Sequence, residues 1–322
     1  MHIPFLRFMI EVRNRRKGLE QILGNIILNL QSSRSKSTID NYRTALRSFL
    51  GYAGSSVTLR SVNANLMEGY QRWLKQNDVN LNTISCYMRS LRRLFRIAGL
   101  KECDACFTNV FTGNAQTEKR SLATEQIGCL KELQLAQGTS LRMARDLFLF
   151  SFYAQGMPFV DLAFLRKSNI RNGYIIYSRH KNGQTIRIKI ERQMQDIINM
   201  YARKESPYLF PILKATEPNA AMREYETKLR RYNNMLRKLA SMAELPSLSS
   251  YQVRHSWATL AFSSNVELPV ISKGLGHTNP QTTLIYIRGI DDNRVADANR
   301  LIINAVDRRF FREKVERLEC IV

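Results

Sequence analysis

The sequence is short of acid. Its 322 residues carry 27 Asp and Glu against 49 Lys and Arg, a formal charge of +22. A chain this basic is adapted to a polyanion, because phosphates neutralised by Lys and Arg release their counterions. The excess does not form a tail. Residues 1–110 hold 17 basic and 7 acidic side chains, and the remainder hold 32 and 20. Both halves are therefore expected to face nucleic acid. Cysteine is scarce too: five residues, an odd number without framework spacing, exclude a disulfide-stapled secreted scaffold and fit a reducing, cytoplasmic setting. Cys103 and Cys106 form a lone Cys-x-x-Cys with no second pair or nearby His, so no metal is expected. Long apolar runs are missing as well. The stretch Ile3 to Ile10 is broken by Arg7 and falls short of the roughly 18 residues of a membrane span. Its basic cluster (Arg13, Arg15, Arg16, Lys17) follows the apolar part, the reverse of a secretory signal.

What remains is enough for two cores, at 44% hydrophobic residues. Residues 18–100 read as helices. Ser37-x-x-Asp40 predicts a helix start, followed by Ile39, Tyr42, Leu46, Phe49 and Leu50 at helical spacing, with Arg43 and Arg47 on the other face. A second helix is predicted over 64–76. In 82–98, Ile84, Tyr87, Met88, Leu91, Leu94 and Phe95 form an apolar stripe. Arg89, Arg92, Arg93 and Arg96 share another face at i, i+3, i+4 and i+7. Four like charges on one face repel, and a merely solvated face would intersperse Glu. Arg43, Arg47 and these four are expected to contact phosphates.

Residues 101–120 lose periodicity and predict a linker. Helices are predicted over 122–137 and 140–155. Strands are predicted at Gly173–Tyr177 and Thr185–Ile190, joined through Asn182-Gly183. Helical patterns then resume. The predicted organisation is an N-terminal extension at 1–17, a helical domain at 18–105, a linker at 106–118, and a mostly helical domain at 119–322 with one small antiparallel sheet.

The densest pattern lies between 251 and 286. It reads Tyr251-Gln-Val-Arg254-His255-Ser-Trp-Ala-Thr259, then Gly274-Leu-Gly-His277, then Thr282-Thr283-Leu-Ile-Tyr286. This resembles the tyrosine recombinase (phage integrase) family. Its pattern is His-x-x-Arg-His-Thr/Ser-x-Ala-Thr, then Leu-Gly-His, then Thr-Thr-x-x-Tyr ending nine residues after that His. The resemblance covers residues 120–300 well and 30–105 more loosely. It implies a helical, SAM-like core-binding domain and a catalytic domain closing as a C-shaped clamp on DNA. It also implies Tyr286 as nucleophile, Arg254 as a phosphate clamp, His277 as a hydrogen-bonding partner of the phosphate, and Lys181, at the hairpin turn, as general acid.

The residue types suit that chemistry. A phosphodiester is an anion, so guanidinium forks must hold its non-bridging oxygens as charge builds in the transition state. A phenol can attack and keep the bond energy in a phosphotyrosine, and a Lys can protonate the leaving 5′ oxygen. No cofactor and no metal are required. The partners implied are double-stranded DNA with inverted-repeat core sites, a homotetramer across two sites, and DNA-bending accessory proteins; no membrane is involved.

Two departures stand out. The family's first Arg, in a Gly-Met-Arg-x-x-Glu-like motif, falls on Pro158 of Gly156-Met157-Pro158-Phe-Val-Asp161. Tyr251 stands where the family often has His, a mild change because a phenol still hydrogen-bonds a phosphate. Losing the guanidinium is severe unless another Arg takes its place. Arg179 is the candidate, two residues before Lys181 and so on the same strand face; Arg145 and Arg166 are weaker ones. Two rival readings remain. A DNA-binding accessory protein with lost turnover is favoured by Pro158, and a type IB topoisomerase shares the catalytic groups. The 17 residues before the first helix predict no arm-binding domain, hence a simple two-site system: inversion, or integration and excision of a mobile element.

Overall fold

A computed structural model of the chain describes residues 18–115, 121–277, 279, 281–284, 299–300 and 302–304. The chain divides into two compact units, at Thr117/Glu118.

Among its described residues the first unit packs four α-helices: α1 (Leu19–Leu30), α2 (Lys36–Ala53), α3 (Ala64–Gln76) and α4 (Leu81–Ala98). The last three begin on side-chain caps. Asn63 and Asn80 accept from the amides of Leu66 and Thr83, each at 2.9 Å, which satisfies donors that no helical carbonyl can reach. α2 is capped by Ser35 rather than Ser37. Ser35 has the extended backbone a cap needs and accepts from Thr38 N, so the helix begins two residues earlier than its Ser-x-x-Asp sequence suggests. The core centres on Phe49, which meets Tyr70 and Phe95 edge-on with centroids 5.2 and 5.8 Å apart. The buried Tyr70 hydroxyl donates to Ser48 Oγ at 2.8 Å. Along α4 the apolar stripe is buried while Arg89, Arg93 and Arg96 are exposed and Arg92 is half-buried.

The stretch expected as a linker is, through residue 115, part of this unit. Cys106, Phe107 and Val110 are buried in its core. Ser85 Oγ donates to Gly113 O at 2.6 Å, and Asn82 exchanges two hydrogen bonds with the backbone of Ala115. Periodicity is lost here because side chain–backbone bonds, not a helix, hold the segment. Burial of Phe107 alone contributes about 1.5–3 kcal/mol.

The second unit contains α5 (Thr124–Glu132), α6 (Ser140–Tyr153), α7 (Phe159–Ala163), β1 (Ile170–Arg171), β2 (Tyr174–Ser178), β3 (Thr185–Lys189), α8 (Arg192–Tyr201), α9 (Pro218–Met242), α10 (Gln252–Ser263), α11 (Leu268–Leu275) and α12 (Gln281–Leu284). α6 is buried on successive residues Leu147, Phe148, Leu149 and Phe150, because α8, α9 and α10 pack around it. α5 ends at Glu132, short of the predicted 137. Leu133 is extended, and Arg145 Nη1 donates to its carbonyl at 2.6 Å, serving the helix end. The sheet is antiparallel in the order β1-β2-β3, with Ile176 opposite Arg187 and Ser178 opposite Thr185. The hairpin closes on a four-residue loop, His180 to Gly183, rather than on a two-residue Asn-Gly turn. Arg179 N donates to Gln184 O at 2.9 Å and Gly183 N to Arg179 O at 2.8 Å. Among the described residues no helix is long and apolar enough to cross a membrane.

Candidate active site

The site is built on the end of α11. Gly276, at φ +63°, terminates that helix in the left-handed region, and His277 N closes back on Ser272 O at 3.0 Å. This glycine-terminated cap explains why Leu-Gly-His occurs as a unit. It leaves the carbonyls of Leu275 and Gly276 without helical donors. Two arginines supply them. Arg179 Nη1 donates to Leu275 O at 2.9 Å and to Gly276 O at 3.1 Å. Arg254 Nη2 donates to the same Leu275 O, and its Nη1 donates to Gly156 O at 3.2 Å. Both guanidinium-bearing side chains are buried. The negative end of the α11 dipole and the buried Asp161 offset their mutual repulsion. Asp161 Oδ2 lies 3.6 Å from Arg179 Nε, and its Oδ1 accepts from His180 N at 2.9 Å.

Glycine is required at both ends of this arrangement. A Cβ on Gly276 would come 2.4 Å from Ile186 Cδ1 and 3.0 Å from Arg179 Cδ. A Cβ on Gly156, at φ +67°, would come 2.9 Å from the Arg254 Cα.

A cleft of about 290 Å³ opens on the two arginines. Its lining includes Pro158, Asp161, Arg179, Lys181, Tyr251 and Arg254. Pro158, at the position of the family's first Arg, and Arg179 thus share one cleft. Arg179 continues the inward face of β2 after Ile175 and Tyr177, whereas Lys181 sits in the exposed loop beyond the strand. They share the cleft, but not by both standing on a strand. Tyr251 is 53% exposed, with its ring edge-on to that of His255 at 5.1 Å. His277 joins through its ring: Nε2 lies 3.2 Å from Arg254 Nη2, and Nδ1 lies 2.9 Å from Thr283 Oγ1. Burial, then the charges of Arg254, Arg179 and Lys181, hold the imidazole down to about 4, so at neutral pH it is uncharged. Tyr286 lies outside the described residues.

The weaker candidates are engaged elsewhere. Arg145 pairs with Asp146 at 2.9 Å, and Arg166 lies over the Tyr208 ring. Asp161 and Thr283 were within quoted motifs, yet nothing in their spacing assigned them these contacts. The carbonyls of Leu275 and Gly276 have no sequence signature beyond the glycine.

In the helical unit Arg43, Arg47, Arg89, Arg93 and Arg96 are exposed and Arg92 is half-buried. Arg43 lies 3.6 Å from Asp40, Arg89 Nη1 donates to Asn114 Oδ1 at 3.5 Å, and Arg96 pairs with Asp104. Exposed pairs of this kind are screened by water and salt, so they hold these side chains weakly. Cys103 and Cys106 belong to the core of this unit, and burial raises the Cys103 thiol to about 11.

Known proteins resemble this chain in sequence and in fold. The family model described as the phage integrase SAM-like domain matches residues 20–103, and that of the phage integrase family matches residues 122–292. A tyrosine recombinase XerA from Pyrococcus furiosus is 25% identical over 260 residues, spanning 79% of this chain and 84% of the relative. A tyrosine recombinase from Thermosipho africanus is 22% identical over 287 residues, covering 83% and 94%. Among solved structures, the Tn1549 transposon integrase in complex with a circular intermediate DNA superposes with a TM-score of 0.67 at 17% identity, over 87% of this chain and 98% of that one. A lambda integrase tetramer bound to a Holliday junction superposes with a TM-score of 0.63 at 13% identity, over 90% and 83%. With one family model spanning the second unit and another the first, the chain belongs to the tyrosine recombinase (phage integrase) family.

Proposed function

We propose that this protein is a site-specific DNA recombinase that cuts and rejoins strands through a 3′-phosphotyrosine on Tyr286. The observation that carries the reading is the convergence of Arg179 and Arg254 on one backbone carbonyl, inside a cleft that also holds Lys181 and Tyr251. In this reading the scissile phosphate enters the cleft and meets both guanidinium groups. Arg179 supplies the fork that Pro158 lacks. Tyr286 loses its phenol proton as it attacks phosphorus, the 5′ oxygen leaves, and the Lys181 ammonium protonates it. Tyr251 hydrogen-bonds the phosphate, and His277 accepts from Arg254 and so sets the guanidinium that meets it. Because the ring of His277 is neutral, it orients rather than adds charge. No metal or nucleotide takes part.

Both units contact duplex DNA, with Arg43, Arg47, Arg89, Arg92, Arg93 and Arg96 on phosphates. Four protomers act on two inverted-repeat core sites in the cytoplasm, with or without DNA-bending helpers, to invert, integrate or excise DNA. The lambda integrase tetramer on a Holliday junction gives this assembly a structural parallel.

The test is a nicked suicide duplex carrying the inverted repeats nearest the coding region, incubated in EDTA. The wild-type chain is expected to become attached in a form resistant to SDS, and Tyr286→Phe to bind without attachment. Attachment by Tyr286→Phe refutes the nucleophile. Binding without attachment by the wild-type chain identifies the accessory-protein reading, which Pro158 favours.

A further inference from the structure

An arginine side chain has only donors to offer. Arg254 Nη2, 3.2 Å from His277 Nε2, therefore donates to that nitrogen, which must present its lone pair. The neutral ring then carries its proton on Nδ1, 2.9 Å from Thr283 Oγ1, and the Thr283 hydroxyl accepts it. Thr283 is fully buried on α12, with no exposed surface. It stands three residues before Tyr286 in the sequence. One hydroxyl thus touches the phosphate-clamp system from the segment that leads to the tyrosine.

We propose that Thr283 is a positioning residue: by accepting the Nδ1 proton of His277 it fixes the imidazole against Arg254 and latches the Tyr286-bearing segment to the two-arginine cleft. The inference rests on the reading of Tyr286 as nucleophile. It goes beyond that reading by coupling the setting of the clamp to the setting of the nucleophile's segment. Loosening either end loosens the other, with no loss of DNA-binding surface.

Two measurements test it. The first is nitrogen NMR of the full-length ¹⁵N-labelled protein without DNA, with the His277 ring signals identified by their loss in His277→Gln. The wild-type ring is expected to carry its proton on Nδ1, in slow exchange with solvent. That protection should vanish in Thr283→Val and persist in Thr283→Ser. The second is single-turnover attachment to the nicked duplex at saturating protein. Thr283→Val should slow it on the order of 10- to 100-fold, the scale of losing an orienting partner, while DNA affinity stays within about twofold and Thr283→Ser stays near wild type.

A proton on Nε2 in the wild-type chain overturns the proposal. So does wild-type attachment by Thr283→Val. Equal slowing by Val and Ser also overturns it, since that assigns the effect to the shape of the site rather than to the hydroxyl. Failure of the wild-type chain to attach at all sinks the Tyr286 reading instead, and the NMR result still judges the Thr283–His277 bond.

Discussion

The arginines of the two units lead opposite lives. On α4, Arg89, Arg93 and Arg96 stand in solvent along one helix face, held by at most a weak surface contact, and Arg92 is half-buried beside them. In the second unit Arg179 and Arg254 are buried, forked onto backbone carbonyls and, for Arg179, facing a buried carboxylate. The same side chain is used in one place as mobile charge and in the other as fixed geometry. Mobile charge suits contact with any phosphate along a duplex, since it adapts to register and costs little folding stability. Fixed geometry suits one phosphate, because donors already in place need no reorganisation when charge develops.

The largest expected effect breaks the fixed side of this contrast. Arg179→Ala should reduce attachment to the nicked duplex by on the order of 10²–10³-fold while duplex affinity is kept. The substitution also takes the arginine cation from Asp161, whose side chain is 1% exposed, leaving it the His180 amide, and breaking a buried ion pair costs about 3–5 kcal/mol. Removing both in Arg179→Ala/Asp161→Ala should recover stability in thermal unfolding but not the rate. Recovery of both would assign Arg179 to folding alone.

A smaller effect is expected on the mobile side. Arg89→Ala/Arg93→Ala should flatten the dependence of log affinity on log salt by about 0.9 for each phosphate left without its arginine, with the attachment rate at saturating protein unchanged. A fall in that saturated rate would erase the distinction between the two sets of arginines.

The smallest effect is a pH dependence. The folded chain holds His277 at about 4, below the ordinary 6.5. As pH falls from 6.5, the unfolded chain binds a proton at this ring that the folded chain does not. Stability from this group is therefore complete above 6.5 and is lost as pH falls toward 4. His277→Gln should lose less stability than wild type between pH 7 and 5 in denaturant titrations. A matching decline would show that the ring is not desolvated among the cations.

Much of this was legible in the sequence for physical reasons. The helices of the first unit follow from 3.6-residue periodicity, and α4 keeps both its stripe and its basic face. The strand face that Arg179 was expected to share with Lys181 does not exist, because Lys181 lies in the loop; Arg179 instead continues the inward alternation of Ile175 and Tyr177. The fold of residues 106–115 was not legible, since segments tied down by Ser85, Asn82 and Gln71 carry no period. Nor were the contacts of Asp161 and Thr283, which depend on partners far along the chain or on ring orientation. The Ser37 cap misled because Ser35, two residues earlier, meets the same chemical requirement with the right backbone.

The cap at the end of α11 also bears on how such a site can change over time. Its two carbonyl oxygens belong to the main chain, and no substitution removes them while the glycine stays. A receptor made of peptide groups accepts an arginine arriving from any direction within reach. Arg179 from the end of β2 and Arg254 from α10 both use Leu275 O, so two elements far apart in the chain share one main-chain seat.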